Sequence, residues 1–305
     1  MKIGMLFPDY GSQYVGMGKE LYDSSRIMQE YFEEASTCLD VNFVKLCFAS
    51  SEQELAQIHN AATSIFLLSC AISALLKEKG VVPTVLAGYG IGQLSALHAA
   101  GSISLPDGLY FLSKYAHFYN ELLMKLNARV IEQNGMDIIK VRELCTEYKH
   151  VYIAAHHAQK ECRLSGIEGE MVGAQDQLIE QGARSAEISQ FVGLYCPLMK
   201  PVQDHMRTYL EKIDFHDVHI PVLATLDGEL IHKGVDAREK IMQQIVTTLR
   251  WDKAMESVHD WDIVVHIGPG NSLQNLVREY YPAKKQIAVN SLSDVENFLL
   301  LLKQQ

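Results

Sequence analysis

Proline is scarce in this chain, 8 among 305 residues, while 48% of the residues are hydrophobic. That leaves ample apolar material for a large core, enough for one α/β unit of ~250 residues with an insertion. Basic residues are also in deficit: 27 Lys and Arg stand against 37 Asp and Glu, a formal net charge of −10, and no basic tract gathers them. An acidic body attracts neither nucleic acid nor an anionic membrane surface, so both are excluded as default partners. No CxxC pair or metal-ligand spacing links the six cysteines, Cys38, Cys47, Cys70, Cys145, Cys162 and Cys196, which read as reduced thiols of a cytoplasmic protein. The one histidine doublet, His156-His157, falls in a strand pattern where neighbours face opposite sides, so no two-ligand metal site is expected there, and no metal or cofactor is implied. A long leading apolar run is missing too. Met1 to Phe7 is stopped by Pro8-Asp9, short of a secretory or membrane-spanning segment, and reads as a buried first strand.

Short apolar runs alternate with longer helical patterns. Strands are expected at Ile3–Phe7 and Val82–Ala87, and helices at Met17–Cys38, Ala61–Lys79, Gln93–Ala100 and Pro106–Met124. This is the pattern of a parallel sheet with covering helices. From about residue 127 the rhythm becomes βαββαβ: strands at Ala128–Gln133, Val151–Ala154, Cys162–Ser165 and Ser185–Ser189, helices at Ile138–Tyr148 and Met171–Gln181. The expectation is an α/β-hydrolase-like parallel-sheet core, residues 1–125 and 191–305, with an inserted ferredoxin-like subdomain at 126–190. The core resumes with a helix Pro197–Ile213, strands Pro221–Leu226 and Ile263–Ile267, a helix Ser272–Tyr280 and a closing helix from Asp294.

The stretch Val85 to Gly101, VLAGYGIGQLSALHAAG, has the outline of a strand–elbow–helix, the G-x-S-x-G device that lifts a nucleophilic serine above a parallel sheet. The serine is absent: Gly90 stands in its place.

Four segments resemble one family, the malonyl-CoA:acyl-carrier-protein transacylases and polyketide-synthase acyltransferase domains. Phe7-Pro8-Asp9-Tyr10-Gly11-Ser12-Gln13 with Gly16-Met17-Gly18 is similar to its opening FPGQGSQ and GMG, and Gly88 to Leu97 to its GHSLGEYSAL. Tyr195-Cys196-Pro197-Leu198-Met199 resembles its H-[SC]-x-L-M segment, and His266-Ile267-Gly268-Pro269-Gly270 its EVGPG. The resemblance implies a ping-pong transfer of malonyl from malonyl-CoA through a serine to the thiol of an acyl carrier protein. A histidine base, an oxyanion hole and a carboxylate-binding arginine serve that transfer.

The same alignment removes the reacting groups. The serine falls on Gly90, the histidine on Tyr195, the arginine on Tyr115 and the glutamine of FPGQGSQ on Tyr10. The histidine before the nucleophile becomes Tyr89, while Gln244 matches a glutamine that orients the histidine through its backbone. The resemblance places the oxyanion-hole N–H groups at Tyr10 and Ile91, and Tyr89, His157 and Cys196 along the cleft. Gly90 carries no nucleophilic atom, and a phenol of pKa near ~10 is a poor base at neutral pH. Four tyrosines, Tyr10, Tyr89, Tyr115 and Tyr195, are expected to converge on the cleft, either filling it as core or lining a new aromatic site. Ser95, Cys196, Ser12, His98 and His117 are the candidates for a replacement mechanism. Ser12 reads as a helix N-cap and the two histidines as partly buried, satisfied side chains.

The functional expectation is a noncatalytic relative, a cytoplasmic monomer that binds an acyl carrier protein or a synthase component. The alternative is an active malonyl or acyl transferase, or a thioester hydrolase, that works on acyl-CoA through another nucleophile.

Overall fold

The computed structural model describes residues 1–189 and 194–304. Eleven strands are assigned among them: β1 (Ile3–Phe7), β2 (Val85–Gly88), β3 (Ala128–Asn134), β4 (Val151–Ala158), β5 (Glu161–Ile167), β6 (Ser185–Ser189), β7 (Val222–Leu223), β8 (Leu230–Ile231), β9 (Leu249–Arg250), β10 (Ile263–Ile267) and β11 (Lys285–Val289). They form a six-stranded sheet, β11-β10-β1-β2-β7-β8, and a five-stranded sheet, β6-β3-β5-β4-β9. In the first, every pair from β11 to β7 is parallel and only β7–β8 is antiparallel. Each residue of β1, β2 and β10 is buried, as a parallel sheet with both faces covered requires. The second sheet is the ferredoxin-like unit, antiparallel along β6-β3-β5-β4. One addition was not anticipated: β9, from well beyond the insertion, pairs parallel to β4 through Ala155↔Leu249 and His156↔Arg250, so the second sheet gains an edge strand from the later chain. The expected boundary at residues 190 and 191 falls outside the described residues.

The helix expected over Met17–Cys38 is two helices, Lys19–Ser24 and Arg26–Leu39. Ser25 separates them in an extended conformation, φ −133°, and its hydroxyl accepts from the Met28 N–H as the cap of the second. Pro197–Ile213 likewise divides into a 3₁₀ turn, Pro197–Met199, and a helix, Lys200–Leu210. Helices Phe43–Ala49, Gly234–Gln244 and Trp251–Val258 and the edge strand β11 were not anticipated. The helix Ile58–Glu78 is long and apolar enough to cross a membrane by length and composition, yet every residue from Ala61 to Ile72 is buried. It is the central helix of the main core, packed on the helix Leu105–Leu126.

Two apolar clusters meet near the end of β2. The larger holds the buried sides of the long helices with Phe7, Ile91 and Tyr115; the second gathers Tyr89, Tyr195, Trp251 and Trp261 around Leu6 and Val264. Gly4 in β1 leaves room for the Trp261 ring: a Cβ there would lie 1.9 Å from its Cε3. Because Trp261 is itself buried, Gly4→Ala is expected to destabilise the fold by about 3 kcal/mol, the upper range of overpacking costs. Equilibrium urea unfolding measures this, and a loss below about 1 kcal/mol would show that the ring shifts freely.

Candidate functional site

The site lies at the carboxyl ends of β1 and β2, where ligands bind in open parallel sheets. The Phe7 carbonyl accepts from the Tyr89 N–H at 3.0 Å, carrying the β1–β2 ladder one residue past β2, and the Thr225 hydroxyl donates to the Gly88 carbonyl at 2.9 Å. Gly90 follows with φ +56°, the left-handed conformation in which glycine is free of the Cβ penalty. The helix Gly92–Ala99 then begins, with Ile91 at its N-cap.

The turn after β1 brings a side chain against this elbow. Ser12 donates to the Asp9 carbonyl at 2.8 Å and the Gly11 N–H to Gln13 Oε1 at 2.9 Å, tightening the turn. Ser12 therefore ties a loop and caps no helix; the helix after it begins only at Lys19. The Asp9 carboxyl, 4% exposed, accepts from the Ile91 N–H at 3.2 Å and from the Tyr195 hydroxyl at 3.0 Å. One of the backbone donors expected for an oxyanion, that of Ile91, thus points at a carboxyl group of the chain itself. Burial pushes Asp9 up from 3.8 to about 6, and the Arg163 guanidinium, the nearby Tyr10 and Ile91 N–H groups and the Tyr195 hydroxyl limit the rise. Its position at a helix N-terminus is one favourable for negative charge.

Tyr195 closes the other side. Burial, reinforced by the Asp9 charge, pushes its hydroxyl well above 10, so the phenol stays protonated and donates. Its backbone has φ +29°, unusual for a residue with a Cβ and a strain of roughly 1–3 kcal/mol. The preceding residue is pinned: the Leu194 N–H donates to the Tyr119 hydroxyl at 3.2 Å, and Ser165 donates to the Leu194 carbonyl at 2.7 Å. Tyr115 stacks between Phe111 and Tyr119, with ring centroids 6.1 and 5.5 Å away. Gln244 donates its side-chain amide to the Gly90 carbonyl at 2.8 Å, so its recorded contact is with the elbow. Among Gly90, Ile91, Tyr115, Tyr195 and Gln244 remains a cavity of about 20 Å³, room for about one water molecule.

The remaining expected residues are placed elsewhere. Tyr89 follows the alternation of β2 and turns from the elbow, packing edge-on to Trp251 at 5.4 Å and sharing a 2.5 Å hydrogen bond with His157 Nε2. Burial, with Arg163 and His156 nearby, pushes His157 down to about 3, so it is neutral. Tyr89 and His157 therefore belong to the second apolar cluster and its edge, off the wall of the small cavity. Cys196 is buried, and burial raises its thiol, the opposite of an activated cysteine. Ser95 is buried beside Cys70. His98 is satisfied by the Tyr31 hydroxyl and the Ile103 carbonyl, whereas His117, expected to be partly buried, is exposed beside Glu121.

Asp9 and Arg163 were missed by sequence reasoning. Arg163 on β5 pairs with Glu132 and lies 6.0 Å from the Tyr89 ring centroid. The signal for Asp9 was present, since it occupies the first glycine position of the FPGQGSQ pattern. For Arg163, no motif marked a charged residue between Cys162 and Leu164 in a buried strand.

The geometry makes two predictions. A Cβ on Gly90 would lie 2.1 Å from Asp9 Oδ2 and 2.2 Å from the Tyr195 hydroxyl, so Gly90→Ser should cost more than about 2 kcal/mol, and Asp9→Gly should recover part of that loss. Additive losses in a double-mutant cycle would refute the clash. Second, the native state holds the Asp9 proton more tightly than the unfolded chain, so its stabilising effect is full below 3.8 and is lost as pH rises to about 6. Relative to Asp9→Asn, which carries no titrating proton, the protein should lose about 3 kcal/mol between pH 3.5 and 7. A stability difference independent of pH would contradict the burial of this carboxyl.

Residues 5–294 match the model of the acyl transferase domain family. A malonyl CoA-acyl carrier protein transacylase of Bacillus subtilis (strain 168) is 29% identical over 311 residues, covering 100% of this chain and 98% of its own. The crystal structure of malonyl-CoA:acyl carrier protein transacylase from Helicobacter pylori superposes with TM-score 0.93 at 25% identity, over 100% of this chain and 99% of that one. A malonyl-transacylase solved in complex with its type II PKS acyl-carrier protein has the same fold, with TM-score 0.94 at 24% identity over 99% of this chain and 100% of that one. With its parallel sheet, inserted ferredoxin-like unit and elbow in the order the motifs announce, the chain belongs to the acyl transferase family.

Proposed function

We propose that this member of the family is noncatalytic and binds an acyl carrier protein, or a synthase component that carries one, in the cytoplasm, as a monomer and without transferring acyl groups. One observation carries the reading: the Asp9 carboxyl accepts from the Ile91 N–H, a donor a tetrahedral oxyanion would need, directly against a Gly90 with no nucleophile. The other replacements act in the same direction. A protonated, buried Tyr195 cannot take a proton as histidine does, and Tyr115 offers a malonyl carboxylate no fixed positive charge. The replacement candidates are poorly placed among the described residues, with Ser95 and Cys196 buried and Ser12 engaged in its own turn.

Docking depends on surfaces outside the cleft, which can survive the loss of catalytic residues, and the cleft has no room for a thiol-bearing arm. The rings fill the space, which favours their role as core over a new aromatic site.

Intact-mass spectrometry of the protein with malonyl-CoA and a holo acyl carrier protein is expected to leave this chain unmodified, and the carrier no faster to load than in its absence. An adduct on this chain would restore the transferase reading. In a titration, apo and holo carriers should bind within about twofold of each other, a difference under about 0.5 kcal/mol. Absence of binding to either would remove the carrier from the proposal.

A further inference from the structure

We propose that the hydrogen bond between Asp9 and Tyr195 is a latch that holds the cleft shut against the strain in the Tyr195 backbone. Three features meet in it. The Tyr195 hydroxyl donates to Asp9 Oδ2 at 3.0 Å, the other carboxyl oxygen accepts from the Ile91 N–H at 3.2 Å, and Tyr195 holds φ +29° where an extended backbone would be relaxed. The bond spans 186 residues of sequence, joining the turn after β1 to the segment that follows β6. Opening breaks it together with the bonds that tie Leu194 to Tyr119 and Ser165, and the small cavity beside Gly90 then joins the space the ring occupied. Asp9 is a positioning residue here, acting through Tyr195.

The groups around Asp9 make the latch sensitive to one titration. Within electrostatic reach of it are the hydroxyls of Tyr10, Tyr89, Tyr115 and Tyr195, all pushed upward by burial, and the Arg163 guanidinium, itself paired with Glu132. His157, which bonds Tyr89, is already neutral above about 3. The four tyrosines, Arg163 and His157 keep their charge state between pH 4 and 8, whereas the Asp9 carboxyl changes its own, with its midpoint near 6 in the closed cleft and 3.8 once released. Opening therefore becomes easier as pH rises from 4 to 6 and levels off above.

Hydrogen exchange of backbone amides, corrected for the chemical rate, tests this at Ile91 and across residues 194–199. In the native protein, exchange at these amides should accelerate by roughly one to two orders of magnitude from pH 4 to 7, as the two-unit rise of Asp9 dictates. Asp9→Asn should remove that dependence. Asp9→Ala and Tyr195→Phe should each speed exchange at these amides by about tenfold or more, while the amides of β1 and β10 stay protected. Tyr195→Phe removes one atom, so it remains informative if Asp9→Ala does not fold. The latch is refuted if Tyr195→Phe leaves exchange at 194–199 unchanged, if β1 and β10 loosen equally, or if the pH dependence persists in Asp9→Asn.

Discussion

A carboxyl group buried beside a glycine elbow sets the state of this molecule. Asp9 takes the hydrogen bonds of Ile91 and Tyr195, and its oxygens lie where a side chain on Gly90 would begin. Everything around the cleft is consistent with that one placement. The elbow must be glycine, since even a Cβ meets the carboxyl. The residue at 195 must donate rather than accept, since a base would compete with Asp9 for the proton. The helix after the elbow still points its N-terminus into the cleft, but its first N–H is bound by the protein itself.

These residues are therefore interdependent. A serine placed alone at position 90 meets Asp9 and Tyr195, and a histidine placed alone at 195 loses the hydroxyl bond to Asp9 and finds no nucleophile at Gly90. Tyr115 is held in its aromatic stack between Phe111 and Tyr119. The scaffold tolerates all this because its stability resides elsewhere, in the buried parallel strands, the central helix and the two apolar clusters.

Much of the fold was legible because its signals are local. β1 and β10 are short apolar runs bounded by turns, and β6, β10 and Ser272–Tyr280 were delimited to the residue. β9 and β8, of two residues each, carry no periodicity to read, and β11 at the sheet edge mixes exposed and half-buried residues. At the site, the elbow and Tyr195 could be aligned, since they sit in motifs, and Tyr115 was placed by the alignment between them. The direction of Tyr89 could have been taken from strand alternation, which sends it to Trp251 and His157. Asp9 escaped notice because attention to the missing groups leaves an added one unexamined. The pairing of Asp9 with Tyr195 is a contact across most of the chain, and no local pattern encodes it.

The composition of the plug bears on what the cleft is for. A core filled only for stability favours apolar side chains, and replacing buried charged or polar groups by well-packed hydrophobic ones is often stabilising. This cleft instead keeps a carboxyl raised to about 6 by its burial and a tyrosine in a strained backbone, both of which oppose folding near neutral pH. Each is offset by the other only while their hydrogen bond is made. A leucine at position 9 would close the space without burying a carboxyl, and would also close it permanently. The pair that is present closes it conditionally, through one bond between two segments distant in sequence, which is the physical requirement for a cleft that can open.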